Sequence, residues 1–208
     1  MADSLKIQRF NTQHDSIATV VAALRGKLSP DGDVVSAAGR QRTLDVFGEP
    51  LTPSQVVQRI CADVCRDGLS AVLNYTHSLD NVELDADSLR VSADELQSAH
   101  AAADPEFIAT IGRIRDNIFN FQQAILHSDV TLPTANGISL CQRYTPLGRA
   151  GLCVPGGAAA YPSTVLMTAV PAQAAGVQQL AVVAPPTKFG SNNPDLLATC
   201  HEIGITEV

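Results

Sequence analysis

The stretch GRAGLCVPGGAAAYPSTVLM, residues 148–167, gathers the residue types that let a ligand approach a main chain. Gly156 and Gly157 carry no side chain, Pro155 stops the preceding apolar run, and a helix is expected from about Ser163, with Ser163 as its N-cap. In a parallel sheet such a loop lies outside the C-terminal end of its strand, where the N–H groups of the next helix can meet a phosphate. The dinucleotide fingerprint G-x-G-x-x-G is not present, so the loop reads equally as a tight connection. Cys153 borders that helix N-terminus and has the position of an activated nucleophile, but no His or Asp in the motif is placed to serve as its base.

Other residues with chemical potential are scattered. The five histidines, at 14, 77, 100, 127 and 201, show no metal-ligand spacing and read as surface or helix-end residues. Cys61 and Cys65 stand four apart on one expected helix, a spacing that suits a metal ion. With no second pair nearby, they read as two small core residues. Cys141 and Cys200 lie in apolar segments and read the same way. The acidic run DNVELDAD, residues 80–87, reads as a solvated loop.

The elements that must position these residues change character near residue 137. Before it the patterns are helical. Ile17, Val20, Val21, Leu24 and Leu28 define one helical face within 14–28, and SPDGDVVSAAGR follows as a loop. Thr52 and Gln55 form a capping box around Pro53, and the helix they start should bury Val56, Val57, Ile60, Cys61 and Val64 before Gly68 ends it. A short helix over about 69–79 follows, and Ser92 and Glu95 start another that runs to about Ala103. Asp104 and Pro105 open the longest helix, to about His127. Its residues Phe107, Ile111, Ile114, Ile118, Phe121 and Ile125 recur at spacings of 4, 3, 4, 3 and 4, the alternation of a 3.5-residue repeat, as in a core helix or a seam against a partner chain.

From Gly137 the chain alternates. ISLCQRY, AGLCVP and QQLAVVAP read as strands, the last of a kind buried on both faces. PSTVLMTAVPAQAAG reads as a helix with a kink or early stop at Pro171. NPDLLATCHEIG reads as a helix capped by Asn193 and ended by Gly204, and ITEV begins a further strand. The expected class is α/β: a helical segment over 1–136, then over 137–208 an incomplete doubly wound, Rossmann-like parallel sheet.

Bulk properties narrow the function classes. The 208 residues can bury a sizeable core, and a hydrophobic content of 45% suits a globular protein. A net charge of -7 argues against binding a phosphate backbone, and aromatic residues at 4% leave little for stacking bases, so no nucleic-acid partner is expected. No apolar run approaches the roughly 20 residues that span a bilayer, so no membrane partner is expected either. The N-terminus lacks the apolar core of a signal peptide. Five irregularly spaced cysteines form no disulfide framework, which points to a reducing, cytoplasmic setting.

RYTPLGRAGLCVPGGAAAYPSTVLMTAVPAQAAGVQQLAVVAPP, residues 143–186, resembles the signature region of the histidinol dehydrogenase family, with VPGG, YPSTVLM and AVPAQAAG in order. DVCRDGLSAVLNYTHSLDNVEL, VSADEL and NIFNFQQA are more loosely similar to its helical lead-in. The resemblance implies NAD-dependent oxidation of L-histidinol to L-histidine, a small-molecule substrate, in histidine biosynthesis by a zinc-containing homo-oligomer, most simply a homodimer. It makes 137–208 the first part of an NAD-binding domain. The cofactor contacts it implies fall on Cys153, Pro155, Gly156 and Gly157. Where family members carry a tyrosine that touches NAD, this chain has Cys153, which supplies neither ring nor hydroxyl. The family's Glu-His catalytic pair and its zinc ligands belong to the second half of its longer sequences. Nothing here matches them, so no catalytic or metal residue is assigned. The expectation is the N-terminal portion of a histidinol dehydrogenase. The alternative is a truncated, catalytically inactive relative that acts at most as a binding or dimerisation module.

Overall fold

The computed structural model describes residues 10–11, 13–28, 35–133, 137–156 and 159–208. They fall into two compact units, one up to Val72 and one from Leu73 to Val208.

The first unit is helical. Helix α1 spans Ile17–Leu28, and its apolar face is largely open, with Ile17, Val21 and Leu24 all exposed. Helix α2 spans Ala37–Phe47, where the sequence reads as a loop up to residue 40. Ser36 caps it, its Oγ accepting from the Gly39 N–H at 3.0 Å, and Gly48 ends it at φ +76°. Helix α3 spans Pro53–Asp67 behind the expected capping box: the Gln55 N–H donates to Thr52 Oγ1 at 3.3 Å and the Thr52 N–H to Gln55 Oε1 at 2.9 Å. Its buried stripe differs from the expected one. Val56, Ile60 and Val64 are half-buried and Asp63 is buried, whereas Val57, Cys61 and Cys65 are exposed. Asp63 tolerates its position because Arg59 Nε, at 3.2 Å, and Arg66 Nη2, at 2.8 Å, hold its carboxylate. With 63 inward, the neighbouring row 57, 61, 65 turns outward.

Helix α4 (Leu69–Tyr75) spans the boundary after Val72, and the second unit continues with a π turn over Thr76–Asp80. The Ser92–Glu95 capping box starts α5, Ala93–Ala102, and Asp104 caps α6, Pro105–Ala124. Only part of the 3.5-residue seam on α6 is covered: Ile111 is buried and Phe107 and Ile118 pack on the core, while Ile114, Phe121 and Ile125 are exposed. An antiparallel hairpin follows, β1 (Val130–Pro133) against β2 (Ser139–Gln142), with Val130 opposite Gln142. Strand β1 is not among the expected elements. All eight hairpin residues are exposed.

The remaining elements are β3 (Arg149–Cys153), α7 (Pro162–Ala174), β4 (Gln179–Val183) and α8 (Pro194–Glu202). Strands β3 and β4 are parallel, from Arg149 opposite Gln179 to Cys153 opposite Val183. The expected last strand is a single parallel bridge, Ala181 to Glu207, supported by the Val182 N–H on Glu207 O at 2.8 Å. Helix α7 continues past Pro171 to Ala174 and then stops. Its end and that of α8 use one device. Gly176 (φ +85°) donates to Gln173 O and Val177 to Ala172 O; Gly204 (φ +77°) donates to His201 O and Ile205 to Cys200 O. These paired bonds satisfy the last helical carbonyls and turn each chain straight into a strand.

The core lies on one face of the small sheet. Leu152, Val154 and Val182 point into it, against Val165, Leu166, Ala169 and Val170 of α7 and Leu196, Leu197 and Cys200 of α8. Leu96 of α5 and Ile111 of α6 close it from behind. Helix α7 is apolar on nearly every side and is buried on several, while α8 keeps Asp195 and His201 outward. The other sheet face is open: Gly151, Cys153 and Val183 are exposed, so the strands are not buried on both faces as their composition suggests. The architecture is α/β, with helices and a small parallel sheet.

The α5 segment is tied to the far end of the chain. The Val91 N–H donates to Val208 O at 2.9 Å, Arg90 pairs with Glu207 at 2.6 Å, and His100 Nε2 lies 2.9 Å from Glu202.

Candidate functional site

Strand β3 delivers Cys153 to its C-terminal end, with the free thiol exposed on the open face of the sheet beside Val183. The Val154 N–H extends the ladder by one bond, to Val183 O at 2.8 Å. Pro155 has no N–H to continue it, so the chain leaves the sheet there. Of the expected contact residues, Cys153, Pro155 and Gly156 stand together at this edge; Gly157 lies outside the described residues.

The loop reaches α7 one residue earlier than Ser163 suggests. Pro162 takes the first helical position, where its missing N–H costs nothing, so Tyr161 becomes the N-cap and Ser163 falls inside the first turn. Tyr161 makes no side-chain cap bond, and it packs instead on the core. Helix α8, by contrast, is capped by Asn193 Oδ1, which accepts from Asp195 N–H at 3.1 Å and Leu196 N–H at 3.2 Å. Of the two helix N-termini at this edge, α7's is the one without a side-chain cap.

The glycine at 156 has a structural reason that the sequence does not show. A Cβ there would stand 2.8 Å from Pro185 Cγ, 3.1 Å from its Cβ and 3.3 Å from its Cδ. Pro185 belongs to the loop after β4, and its carbonyl accepts from the N–H groups of Thr187 (2.8 Å) and Ser191 (3.0 Å). Gly190 is held in the same knot, since a Cβ on it would lie 1.9 Å from Pro185 O. The two strand-to-helix loops thus interlock through Pro185, and the absent Cβ at 156 is filled by protein.

Two hollows flank the sheet. One of about 680 Å³ borders Arg149, Gln178, Gln179, Gly204 and Thr206, at the N-terminal ends of the strands, opposite the Pro-Gly loop. A groove of about 800 Å³ runs between the 84–99 segment and Pro186, Ser191 and Asn192. Its rim is acidic, with Asp87, Asp94 and Glu95 against Arg90. The hydroxyl of Ser92, with its N–H, holds the Glu95 carboxyl below the ordinary range, and Ser88 does the same for the adjacent Asp85. A rim of ionised carboxylates repels an anionic phosphate, so this groove does not suit one.

The histidines do not converge on a metal. His100 and His201 close α5 and α8, 4.6 Å apart between rings, and His100 and Arg115 both reach Glu202. Among the described residues no three of His, Cys, Asp and Glu form a group that could hold a metal ion. Zinc does not fit the residues present. Of the cysteines read as core residues, only Cys200 is buried, and burial pushes its thiol up to about 12. Cys61, Cys65 and Cys141 are exposed. Among the described residues no helix is long and apolar enough to cross a membrane.

Comparison with known proteins places this geometry. The sequence profile of the family described as Histidinol dehydrogenase matches residues 50–208. A histidinol dehydrogenase of Rhodopirellula baltica is 63% identical over 191 residues, 92% of this chain and 42% of that protein. One from Heliobacterium mobile is 40% identical over 169 residues, 81% of this chain and 39% of its own length. The crystal structure of histidinol dehydrogenase from Elizabethkingia anophelis superposes with a TM-score of 0.65 at 32% identity, covering 74% of this chain and 35% of that one. The chain therefore spans about two fifths of the length of these relatives, corresponding to their N-terminal part. On this match, over three quarters of its residues, the chain belongs to the histidinol dehydrogenase family.

Proposed function

We propose that residues 1–136 are a helical lead-in and residues 137–208 the first part of a doubly wound, NAD-binding Rossmann-like domain. Taken alone, these 208 residues act as a binding or dimerisation module and do not oxidise histidinol. The observation that carries this reading is the β3–loop–α7 unit. Its family match is strong, its helix N-terminus has no side-chain cap, and among the described residues no three of His, Cys, Asp and Glu gather there to hold a metal ion.

In this reading Cys153, Pro155, Gly156 and Gly157 form the wall along which the cofactor runs, and Ser163, in the first turn of α7, offers its N–H to the phosphates, since Pro162 has none and that of Thr164 is spent on Tyr161 O. Cys153 gives the cofactor a small, weakly polar neighbour in place of an aromatic ring, so affinity is low. NAD supplies a hydride acceptor. Taking the alcohol to an acid further needs a base and an activated water. The described residues offer no convergent group for either task, so the chain alone performs neither. The 63% identity to the Rhodopirellula baltica protein favours a second reading, in which the same segment serves the complete reaction within a longer polypeptide.

The purified 208-residue chain, given NAD and L-histidinol, should form no NADH above background and should retain no stoichiometric zinc by elemental analysis. Its sedimentation should depend on concentration, because Leu132, Ile138 and Leu140 leave the hairpin apolar on the outside. Turnover with bound zinc would overturn the module reading. A compact monomer at high micromolar concentration would remove its dimerisation part.

A further inference from the structure

Two cysteines that pattern alone assigns to the core are on the surface. Cys61 and Cys65 lie one turn apart on α3, both exposed and both free. From this geometry we infer that α3 carries a dithiol site for a soft, two-coordinate cation, with Cu(I) as its chemical type.

Side chains four apart on a helix have Cβ atoms about 5–6 Å apart. That is too far for a disulfide, which needs about 3.5–4.5 Å. Two metal–thiolate bonds of about 2.3 Å laid end to end hold the sulfurs about 4.6 Å apart. Each sulfur swings on its Cα–Cβ bond, and from Cβ atoms about 5–6 Å apart the pair reaches that separation, so a linear S–metal–S bridge fits without unwinding the helix. Zinc wants four ligands, and among the described residues no third His, Cys, Asp or Glu joins the pair. A cation satisfied by two thiolates is therefore the one this geometry selects, and soft sulfur ligands favour Cu(I).

The scaffold holds the pair still. The Thr52–Gln55 capping box fixes the start of α3, Gly68 its end, and the Arg59–Asp63–Arg66 ion pairs brace the turn between the two thiols. Binding is a simple exchange. Two S–H protons pass to solvent, two metal–sulfur bonds form, and the metal keeps its oxidation state.

The test uses the full chain, reduced and free of oxygen, titrated with Cu(I) against a chromophoric Cu(I) chelator. One Cu(I) per chain should resist the chelator, with Zn(II) held at least tenfold more weakly. Cys61→Ser and Cys65→Ser should each lower Cu(I) retention at least tenfold; both sites are exposed, so circular dichroism should show the fold unchanged. Cys141→Ser and Cys153→Ser, at the other exposed thiols, should retain Cu(I) as the parent does. Retention that survives Cys61→Ser and Cys65→Ser, or falls equally with Cys141→Ser, overturns the inference. So does half a metal per chain, which would mean a bridge between two copies.

Discussion

Replacing Gly156 by alanine tests whether the loop is shaped by protein or by a ligand. The new Cβ would meet Pro185 at 2.8, 3.1 and 3.3 Å, whereas carbons in comfortable contact sit about 3.5–4.0 Å apart. The proline ring has no rotamer by which to leave, and its carbonyl is already bonded to Thr187 and Ser191. One of the two loops must therefore shift. Overpacking by a methyl costs about 1–3 kcal/mol. The loss of unfolded-state freedom on replacing glycine returns about 0.4–1 kcal/mol. Taking the middle of each range, the net expectation is a destabilisation of roughly 1.3 kcal/mol. Two of the three close approaches involve Cγ and Cδ of Pro185 and disappear in Pro185→Ala. In that background only the Cβ contact at 3.1 Å remains, so the same change should cost less, giving a coupling of at least about 0.5 kcal/mol. Urea unfolding followed by circular dichroism on the parent, both single variants and the double variant closes the cycle. If the glycine exists only to admit a cofactor, Gly156→Ala will match the parent within about 0.5 kcal/mol and the cycle will show no coupling, which refutes the packing argument.

Other expectations follow from burial and caps. Iodoacetamide at pH 8 should label Cys61, Cys65, Cys141 and Cys153 in the folded chain and spare Cys200, whose thiol is pushed up to about 12; peptide mass mapping decides. Leu196→Ala, at a side chain with 0% exposure, should cost about 2–5 kcal/mol in the same unfolding assay. The Ser92 hydroxyl and N–H hold the folded-state pKa of Glu95 below its ordinary 4.5. Its stabilising contribution is therefore complete above pH 4.5 and lost as acid carries the pH down through the depressed value. Ser92→Ala should flatten that acid limb of the stability profile, besides costing about 1 kcal/mol as a lost cap at neutral pH.

Features written in a few adjacent residues were legible in the sequence. Both capping boxes, the Asn193–Pro194 start and Gly204 end of α8, and the succession of β3, loop and α7 were read in place, because caps and turns depend on local hydrogen bonds. Helix α2 is not legible because its helical signal is one N-cap serine before a segment of mixed polarity with no buried residue. Strand β1 has four exposed residues and exists through its pairing with β2, which no local pattern announces. The facing of α3 is not legible in the pattern because Asp63, paired with two arginines, lies inward and carries Val56, Ile60 and Val64 with it. In the loop after β3 the packing reason for Gly156 was not legible, since Pro185 is 29 residues away in the chain.

The ties between the α5 segment and the last residues have a consequence for how the chain is made. Arg90 and Glu207 are 117 positions apart, and His100 and Glu202 are 102 apart. Leu96 and Ile111 have no complete pocket until Leu196, Cys200 and Ile205 arrive. At synthesis rates of about 5–20 residues per second, helices α5 and α6 wait on the order of ten seconds for the elements that cover them. Closing such long loops before any contact rewards them also slows the search itself. The nascent chain should therefore pass through a stage with its central helices formed and their apolar faces bare. A chaperone that holds amphipathic helices would act at that stage, and refolding from denaturant should lose yield steeply as protein concentration rises.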